Sequence, residues 1–277
     1  MFDDINIDDL QKMKFKDVKN VVSNLCDNDY IDYEEKLLSI INILKEDSRK
    51  NMNSLAVSLS KHIEKSKCEI QRVKSMYDFD KGFGNYQYIC GVDEVGRGPL
   101  AGPIVGASVM LDLNYKNYKD LLTGIKDSKK LTAKKREELS SIIKERALGF
   151  KITEITSEII DEKGIAWCNN EVLKQSALNL QPKAEFVISD GYAVKDIQLN
   201  NTFVIKGDAK SASIACASII AKVYRDNLML QYAKEYPQYG FEKNMGYGTE
   251  EHVKALKQFG PCPIHRKSFL TNILGEI

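Results

Sequence analysis

Four acidic residues follow short apolar runs of the kind that form buried β-strands, and they are the first candidates for chemistry. They are Asp93, Glu94, Asp190 and Asp208. Ligands of α/β proteins bind at the carboxyl ends of strands, so acids at three strand ends are expected to share one site. Neighbouring carboxylates repel one another unless a cation lies between them, and hard oxygen ligands select Mg²⁺ or Mn²⁺. The pattern therefore predicts a divalent-metal site.

Each acid also has a purely structural interpretation. Asp190, followed by glycine between two apolar runs, is a hairpin-turn signal, and Asp208 precedes a helix that it could cap. Asp93 and Glu94 are adjacent, so on a regular strand their side chains point to opposite faces. Both reach one site only if the strand ends there, and the glycine-containing loop that follows supplies such a break. All the structural interpretations would have to hold independently, which favours the common site.

The loop after Glu94 reads GRGPLA over residues 96–101 and matches the dinucleotide-binding pattern G-x-G-x-x-A. That pattern needs a helix that begins at the glycines, whereas prolines here lead into a β-like run. Two carboxylates directly before the loop would also repel a pyrophosphate. What remains is an exposed loop of Gly96, Arg97 and Gly98, in which a ligand can approach the backbone while Arg97 offers donors to phosphate.

Two further segments leave a structural and a functional interpretation open. Residues 126–136 contain six basic residues around the single acid Asp127, a pattern typical of either a solvated helix face or a phosphate-binding patch. Tyr247 lies between two glycines, where a tyrosine either packs against the protein or stacks on a sugar or base.

Composition excludes several classes of enzyme. The six cysteines are far apart without a C-x-x-C pair, and the three histidines form no H-E-x-x-H motif. Structural zinc, zinc hydrolases and most histidine-based nucleophile triads are therefore disfavoured. The first ten residues hold four aspartates and no basic residue, which is unlike a secretory signal, and no apolar run approaches the length of about 20 residues that spans a membrane. We expect a cytoplasmic protein that does not bind membranes.

The pattern of the elements predicts two domains. Residues 1–84 show helical spacing of leucine and isoleucine, and residues 1–80 carry a net charge of −3, against +4 for residues 81–277. Turn residues at 80–85 end this stretch, and strands then alternate with helices. Early strands without an intervening helix, followed by strands that helices separate, predict a mixed sheet with helices on its faces, an α/β fold. We predict a helical extension over residues 1–84 and a catalytic domain over residues 85–277.

Several segments together resemble ribonuclease HII, the bacterial type 2 ribonuclease H. They read GVDEVGRGPLAGP at 91–103, DSKKL at 127–131, ISDG at 188–191, KGD at 206–208, SIA at 213–215, AKVYRD at 221–226 and GYGT at 246–249, with His252, GP at 260–261 and HRKSF at 265–269. The resemblance covers residues 86–277 in order, and Ser189 is a small departure where the family usually has valine or isoleucine.

The resemblance implies a ribonuclease H-like fold and hydrolysis of RNA in RNA–DNA hybrids, with incision 5′ of single ribonucleotides embedded in duplex DNA. It implies that the four acids are catalytic and hold two Mg²⁺ or Mn²⁺ ions with the substrate. The loop at 96–98 would hold the 2′-hydroxyl region and the adjacent phosphate, Tyr247 would stack on the neighbouring sugar, and Lys129 would contact phosphate. We expect a monomer.

Two alternatives remain at this point. Ribonuclease HIII also carries an N-terminal extension, but its loop lacks Arg97 and the PLAGP continuation, which favours type HII. A non-catalytic hybrid-binding protein would keep Arg97 and Tyr247 but would gain nothing from four acids at strand ends.

Overall fold

The computed structural model describes residues 7–27 and 34–275. It divides into two compact units, residues 1–72 and residues 73–277, and the division falls within one helix, α3 (Lys50–Lys81). The sequence-based boundary at residue 84 concerns functional domains and stays a prediction. Parts of the predicted helical extension, residues 1–6 and 28–33, lie outside the described residues. No helix in the described part of the chain is long and apolar enough to cross a membrane.

The N-terminal unit is helical, as its apolar spacing predicts. It contains α1 (Phe15–Asp27), α2 (Glu34–Glu46) and the first part of α3. Side chains at helical spacing, such as Leu37 and Leu44 of α2, are buried in a core of their own.

The second unit combines a five-stranded sheet with helices. Its strands are β1 (Ile89–Val95), β2 (Ile104–Met110), β3 (Gly149–Ile155), β4 (Phe186–Asp190) and β5 (Asn200–Val204). Its helices, after the end of α3, are α4 (Ala133–Arg146), α5 (Ser157–Lys163), α6 (Ile165–Leu178), α7 (Ala212–Glu235), α8 (Phe241–Asn244), α9 (Glu250–Phe259) and α10 (Lys267–Leu274). The predicted alternation of strands and helices is confirmed.

The sheet is mixed, with the strand order β3-β2-β1-β4-β5. β1 pairs antiparallel with β2, which pairs antiparallel with β3, whereas β1, β4 and β5 run parallel. All seven residues of β2 are buried, as expected for a strand with neighbours on both sides and helices on the faces of its sheet. The predicted α/β fold with a mixed sheet is therefore confirmed, and the carboxyl ends of the parallel strands β1, β4 and β5 lie at one edge.

The start of α7 packs unusually close to β1. A Cβ atom at Gly91 would lie 2.3 Å from the backbone nitrogen of Ile214, so only glycine permits this approach. The first turn of α7 is held by the buried carboxylate of Asp80, which accepts hydrogen bonds from the backbone nitrogen and the hydroxyl of Ser213 at 2.8 and 2.7 Å. Burial raises the pKa of Asp80 to about 6. Gly91 and the hydrogen bonds between Asp80 and Ser213 therefore fix the start of α7 against β1, the strand that carries Asp93.

Candidate active site

The four predicted acids line one open cleft of about 320 Å³ at this edge of the sheet. The other lining residues are Val95, Ser128, Lys129, Ser218, Lys222 and Tyr247. These side chains come from segments that are up to 154 positions apart, between Asp93 and Tyr247. The structure thus brings together every acid that the sequence singled out, together with Lys129 and Tyr247.

Asp93 and Glu94 lie near the end of β1, and both face the cleft although they are adjacent. β1 continues one residue past this pair, to Val95, which pairs with β2, and it ends directly before Gly96, where the sequence predicts the break. Pairing with β4, however, stops at Val92. Beyond Val92 the β4 side of β1 is open, so both carboxylates can reach the same space.

Asp190 is the last residue of β4, and the hairpin interpretation of its sequence is wrong. β4 and β5 are parallel, so the chain does not reverse directly after Asp190 to pair with itself. The Oδ1 atom of Asp190 accepts a hydrogen bond of 2.6 Å from the backbone nitrogen of Gly207. This bond ties the end of β4 to the turn that carries Asp208.

Asp208 lies in a single 3-10 turn, Gly207–Ala209, that precedes α7. The cap of α7 is Ser211, whose hydroxyl accepts from the backbone nitrogen of Ile214 at 3.1 Å. The helix-cap interpretation of Asp208 is therefore wrong, because Ser211 takes that role. The carboxylate of Asp208 is left available to the cleft.

Burial and mutual repulsion disfavour the ionised forms of three of the acids. Burial raises the pKa of Asp93 well above its ordinary value, and the charges of Glu94 and Asp190 add to this effect. Burial is the main reason that the pKa of Glu94 rises to about 7. The positive charge of Arg97 partly offsets this rise. Burial also raises the pKa of Asp208, with repulsion from neighbouring aspartates. The cleft holds more negative charge than its own cations offset.

This charge imbalance fits hard divalent cations. Carboxylates are the ligands that Mg²⁺ and Mn²⁺ prefer, and a bound cation would favour the ionised forms that burial disfavours. Within residues 7–27 and 34–275, no three histidine, cysteine or acidic side chains are arranged as a group that could hold a metal ion. The four acids thus supply hard oxygen donors but not a preformed cation site.

We expect Glu94→Gln to change how the stability of the metal-free protein depends on pH. The folded-state pKa of Glu94, about 7, lies above its ordinary value of 4.5. The Glu94 carboxyl therefore makes its whole contribution to the free energy of unfolding below pH 4.5, and this contribution is lost as the pH rises through about 7. Glutamine avoids that loss, so the variant should melt about 2–6 °C higher than wild type at pH 8 in a chelator.

The control for this experiment is Glu145→Gln on the exposed face of α4. Melting curves of wild type and both variants should be recorded at pH 4.5 and pH 8. Near pH 4.5 the advantage of Glu94→Gln should disappear, and Glu145→Gln should follow wild type throughout. If the melting temperatures of wild type and Glu94→Gln differed by the same amount at pH 4.5 and at pH 8, the assignment of a buried, repelled carboxylate would be contradicted.

The loop at 96–98 directly follows Val95 of the cleft but does not itself line it, and it is held by backbone geometry. Gly96 has a φ of +96°, and a Cβ there would lie 2.4 Å from the Nε atom of Arg225. Arg97 lies between Glu94, at 3.7 Å, and the ring of Tyr192, whose centroid is 5.6 Å away. The next regular element is β2 rather than a helix, which confirms the rejection of a dinucleotide-binding loop.

Two buried arginines hold the backbone of this loop and of the segment that follows it. Arg225 donates to the carbonyl oxygens of Pro103, Ala101 and Met245, and Arg266 donates to those of Gly96, Arg97 and Gly102. All six bonds are between 2.6 and 3.1 Å. Because a buried guanidinium must satisfy its donors, this arrangement specifies the path of the loop.

The basic run at 126–136 divides into different roles. Lys129 is exposed and lines the cleft. Arg136 instead donates to the carbonyls of Ser128 and Leu131 and pairs with Asp226 at 3.3 Å. Of the six basic residues of this run, Lys129 alone lines the cleft, and Arg136 stabilises the local structure.

Sequence reasoning missed several residues of the site. Ser218 hydrogen-bonds the carboxylate of Asp93 and opposes the rise in its pKa, and its hydroxyl is 3.0 Å from that of Ser128. Ser218 lies in a stretch of small residues that indicates packing, so no local signal marks it. Buried Arg225 and Arg266 were equally hidden, because charged residues are usually exposed.

Comparison with known proteins identifies the family. The sequence pattern of the family described as Ribonuclease HII matches residues 90–272. Ribonuclease HII of Clostridium tetani is 59% identical over 266 residues, which cover 96% of this chain and 97% of that protein. Ribonuclease HII of Clostridium acetobutylicum is 56% identical over 262 residues, covering 95% and 100%. The crystal structure of ribonuclease H2 from Pyrococcus horikoshii OT3 superposes with a TM-score of 0.56 at 28% identity, covering 68% of this chain and 97% of that chain.

The mixed sheet and its flanking helices define a ribonuclease H-like fold. The chain belongs to the ribonuclease HII family, and it is a metal-dependent endonuclease that acts on RNA–DNA hybrids. The family pattern begins at Cys90, whereas the clostridial relatives match nearly the whole chain, so they share most of the N-terminal region as well.

Proposed function

We propose that this enzyme incises 5′ of single ribonucleotides embedded in duplex DNA as well as within longer RNA–DNA hybrids, with Asp93, Glu94, Asp190 and Asp208 as catalytic metal ligands. The observation that carries the proposal is their convergence on one cleft that Lys129 and Tyr247 also line. Acids for metal, a cation for phosphate and an aromatic ring for a sugar or base are the groups that hydrolysis of a nucleic-acid strand requires.

The four carboxylates would hold two divalent ions, Mg²⁺ or Mn²⁺, together with the substrate. Bound there, such ions would supply activation of a water molecule and stabilisation of the leaving 3′-oxygen. Asp190 is oriented by its bond to the backbone of Gly207, and Ser218 hydrogen-bonds Asp93. These bonds hold the ligand oxygens in place before a cation binds, which reduces the reorganisation that binding requires.

Recognition of the ribonucleotide is assigned to the loop at 96–98 and to Tyr247. The 2′-hydroxyl distinguishes RNA from DNA, and it can be recognised by backbone groups that approach the sugar closely. A Cβ at Gly98 would meet nothing within 4 Å, so the loop leaves open space at this point. Arg97 can bind the adjacent phosphate, and Tyr247, which is 44% exposed, can stack on the neighbouring sugar.

We predict that Lys129 contributes to phosphate binding more than its neighbours do. Lys129→Gln should weaken binding of a hybrid duplex and reduce the slope of log affinity against log salt concentration by about 0.7–0.9, the value for one phosphate contact. Lys134→Gln, exposed in the same basic run but outside the cleft, is the matched control and should leave that slope nearly unchanged. Equal slopes for wild type and Lys129→Gln would leave Lys129 as a solvated residue only.

The proposed compartment and assembly rest on less specific features. One chain supplies all four acids of the cleft, so the proposed site needs no second copy of the protein. The six cysteines are free thiols, which supports a reducing compartment such as the cytoplasm.

Cleavage of three duplexes tests the proposed function. They share one sequence and contain a fully RNA strand, a single ribonucleotide in DNA, or DNA only. With Mg²⁺ or Mn²⁺ we expect cleavage of the first two, the second 5′ of the ribonucleotide, and none of the third. Cleavage of the long hybrid alone would contradict the proposed action on single ribonucleotides.

A further inference from the structure

Two buried histidines face each other behind the cleft. His252 of α9 and His265, which precedes α10, are 0% and 2% exposed. Their Nε2 atoms are 3.0 Å apart. One of these two nitrogens must donate and the other accept, and the remaining contacts decide which.

The hydrogen bonds of the other ring nitrogens fix both tautomers. The Nδ1 atom of His252 is 2.9 Å from the carbonyl oxygen of Tyr247, and a carbonyl only accepts, so this nitrogen carries a proton. The backbone N–H of Cys262 donates to the Nδ1 atom of His265 at 2.9 Å, so that nitrogen carries a lone pair. In neutral rings, His265 therefore donates from Nε2 to the Nε2 of His252.

The result is a directional chain of three hydrogen bonds. It runs from the Cys262 N–H through His265 and His252 to the carbonyl of Tyr247. A further proton on His252 would set two N–H groups against each other, and a further proton on His265 would oppose the Cys262 N–H. The chain is complete only when both rings are neutral.

The surroundings of the pair favour neutral rings. Burial lowers the pKa of His252, and burial with the charge of its partner lowers the pKa of His265 to about 4. The titratable groups that pack against the rings are Tyr239, centred 4.8 Å from the His265 ring, and Cys262. Burial raises the pKa of both, so they are neutral as well. Phe241 of α8 supplies the remaining ring, 5.4 Å from His252.

This chain connects segments at the cleft and next to it. Tyr247, at one end, lines the cleft. The residue after His265 is Arg266, which holds the carbonyls of Gly96 and Arg97. The backbone nitrogen of Leu100 donates to the carbonyl of Gly246 at 2.8 Å. The turn that presents Tyr247 and the loop that presents Arg97 are thus joined in one hydrogen-bonded unit.

We propose that His252 and His265 are positioning residues, which hold the turn of Tyr247 in register with the loop at 96–98 through a pair of neutral imidazoles in opposite tautomers. Neither ring lines the cleft, so neither touches the substrate. Their loss should therefore weaken substrate binding rather than slow the chemical step. The kinetic part of this inference rests on the proposed function, whereas the assignment of tautomers does not.

The direct test is ¹⁵N–¹H NMR of the imidazole nitrogens in the full-length protein at pH 7. The chain has three histidines, and the third, His62, is exposed, so the single variant His62→Gln assigns its signals. We expect His252 as the Nδ1–H tautomer and His265 as the Nε2–H tautomer, both neutral. A protonated ring, or the Nε2–H tautomer at His252, would overturn the proposal.

Kinetics on the single-ribonucleotide duplex provide the second test. His252→Phe keeps an aromatic ring of similar size but removes both hydrogen bonds, and it should raise KM about tenfold with kcat within about twofold of wild type. His252→Asn can replace the Nδ1 donor to Tyr247 and should recover most of the loss. His62→Gln should match wild type.

The outcomes separate this inference from the proposed function. Wild type that does not cleave the duplex, with the expected tautomers in NMR, would contradict the function and leave the hydrogen-bond chain supported. An unchanged KM in folded His252→Phe, or a fall in kcat with KM constant, would overturn the positioning role. If His252→Phe does not fold, a KM for His252→Asn equal to or above tenfold that of wild type would also overturn it, because the retained donor should suffice.

Discussion

Asp93→Asn is expected to lower kcat for hybrid cleavage by about 10³-fold or more, while the variant remains folded. Asp93 lies in the last part of β1 and is buried beside Glu94 and Asp190. Asparagine keeps the shape of the side chain but removes the charge that a metal ligand supplies. The measurement is single-turnover cleavage of the hybrid at saturating Mg²⁺ or Mn²⁺.

The same substitution should raise the thermal stability of the metal-free protein at pH 8. The pKa of Asp93 is raised by burial and by neighbouring acids, so its ionised form opposes folding at neutral pH and above. Mg²⁺ should raise the melting temperature of wild type more than that of the variant, because a ligand stabilises the state that binds it. A site that serves catalysis at the expense of stability shows this pattern.

Asp112→Asn is the matched control for both measurements. Asp112 is exposed after β2, at the opposite end of the sheet from the cleft, and its contact with the backbone of Asn114 can be kept by asparagine. We expect wild-type activity and the wild-type response to Mg²⁺. Turnover by Asp93→Asn at the wild-type rate would remove Asp93 from the metal ligands.

Gly91→Ala should be the most destabilising small substitution near the site. The added Cβ would lie 2.3 Å from the backbone of both Ser213 and Ile214, and backbone in the first turn of a helix cannot rotate away as a side chain can. We expect a loss of about 3 kcal/mol or more, or about 6–12 °C in melting temperature. Activity should fall as well, because α7 and the turn of Asp208 must move away from β1.

Gly98→Ala tests whether this loss comes from close packing rather than from glycine as such. Its Cβ would meet nothing within 4 Å, so the melting temperature should stay within about 2 °C of wild type. Since Gly98 belongs to the proposed substrate loop, stability is the only readout of this control. Equal stability of Gly91→Ala and wild type would contradict the packing of α7 on β1.

The sequence predicts the acids of the site because the signal for each is local. Apolar runs mark β1, β4 and β5, and the position of an acid after or near the end of such a run depends on neighbours within a few residues. The mixed sheet follows from the order of strands and helices. The competing interpretations of Asp190 and Asp208 could be rejected only in three dimensions, from the parallel pairing of β4 with β5 and from the cap at Ser211.

The residues that hold the site in place could not be predicted in the same way. Arg225 and Arg266 donate mainly to carbonyl groups more than a hundred residues away in sequence, and no local pattern distinguishes them from exposed arginines. His252 and His265 are thirteen positions apart on different elements. Their interaction depends on how α9 and the segment before α10 pack, which the periodicity of either segment does not specify.

Anomalous diffraction from crystals of the full-length protein with Mn²⁺ and an uncleaved RNA–DNA hybrid tests the central claim most directly. We predict anomalous peaks in contact with carboxylate oxygens of Asp93, Glu94, Asp190 and Asp208 and with the phosphate at the ribonucleotide. Mn²⁺ bound elsewhere with the hybrid in place, and none between these acids, would contradict the assignment of this cleft as the catalytic centre.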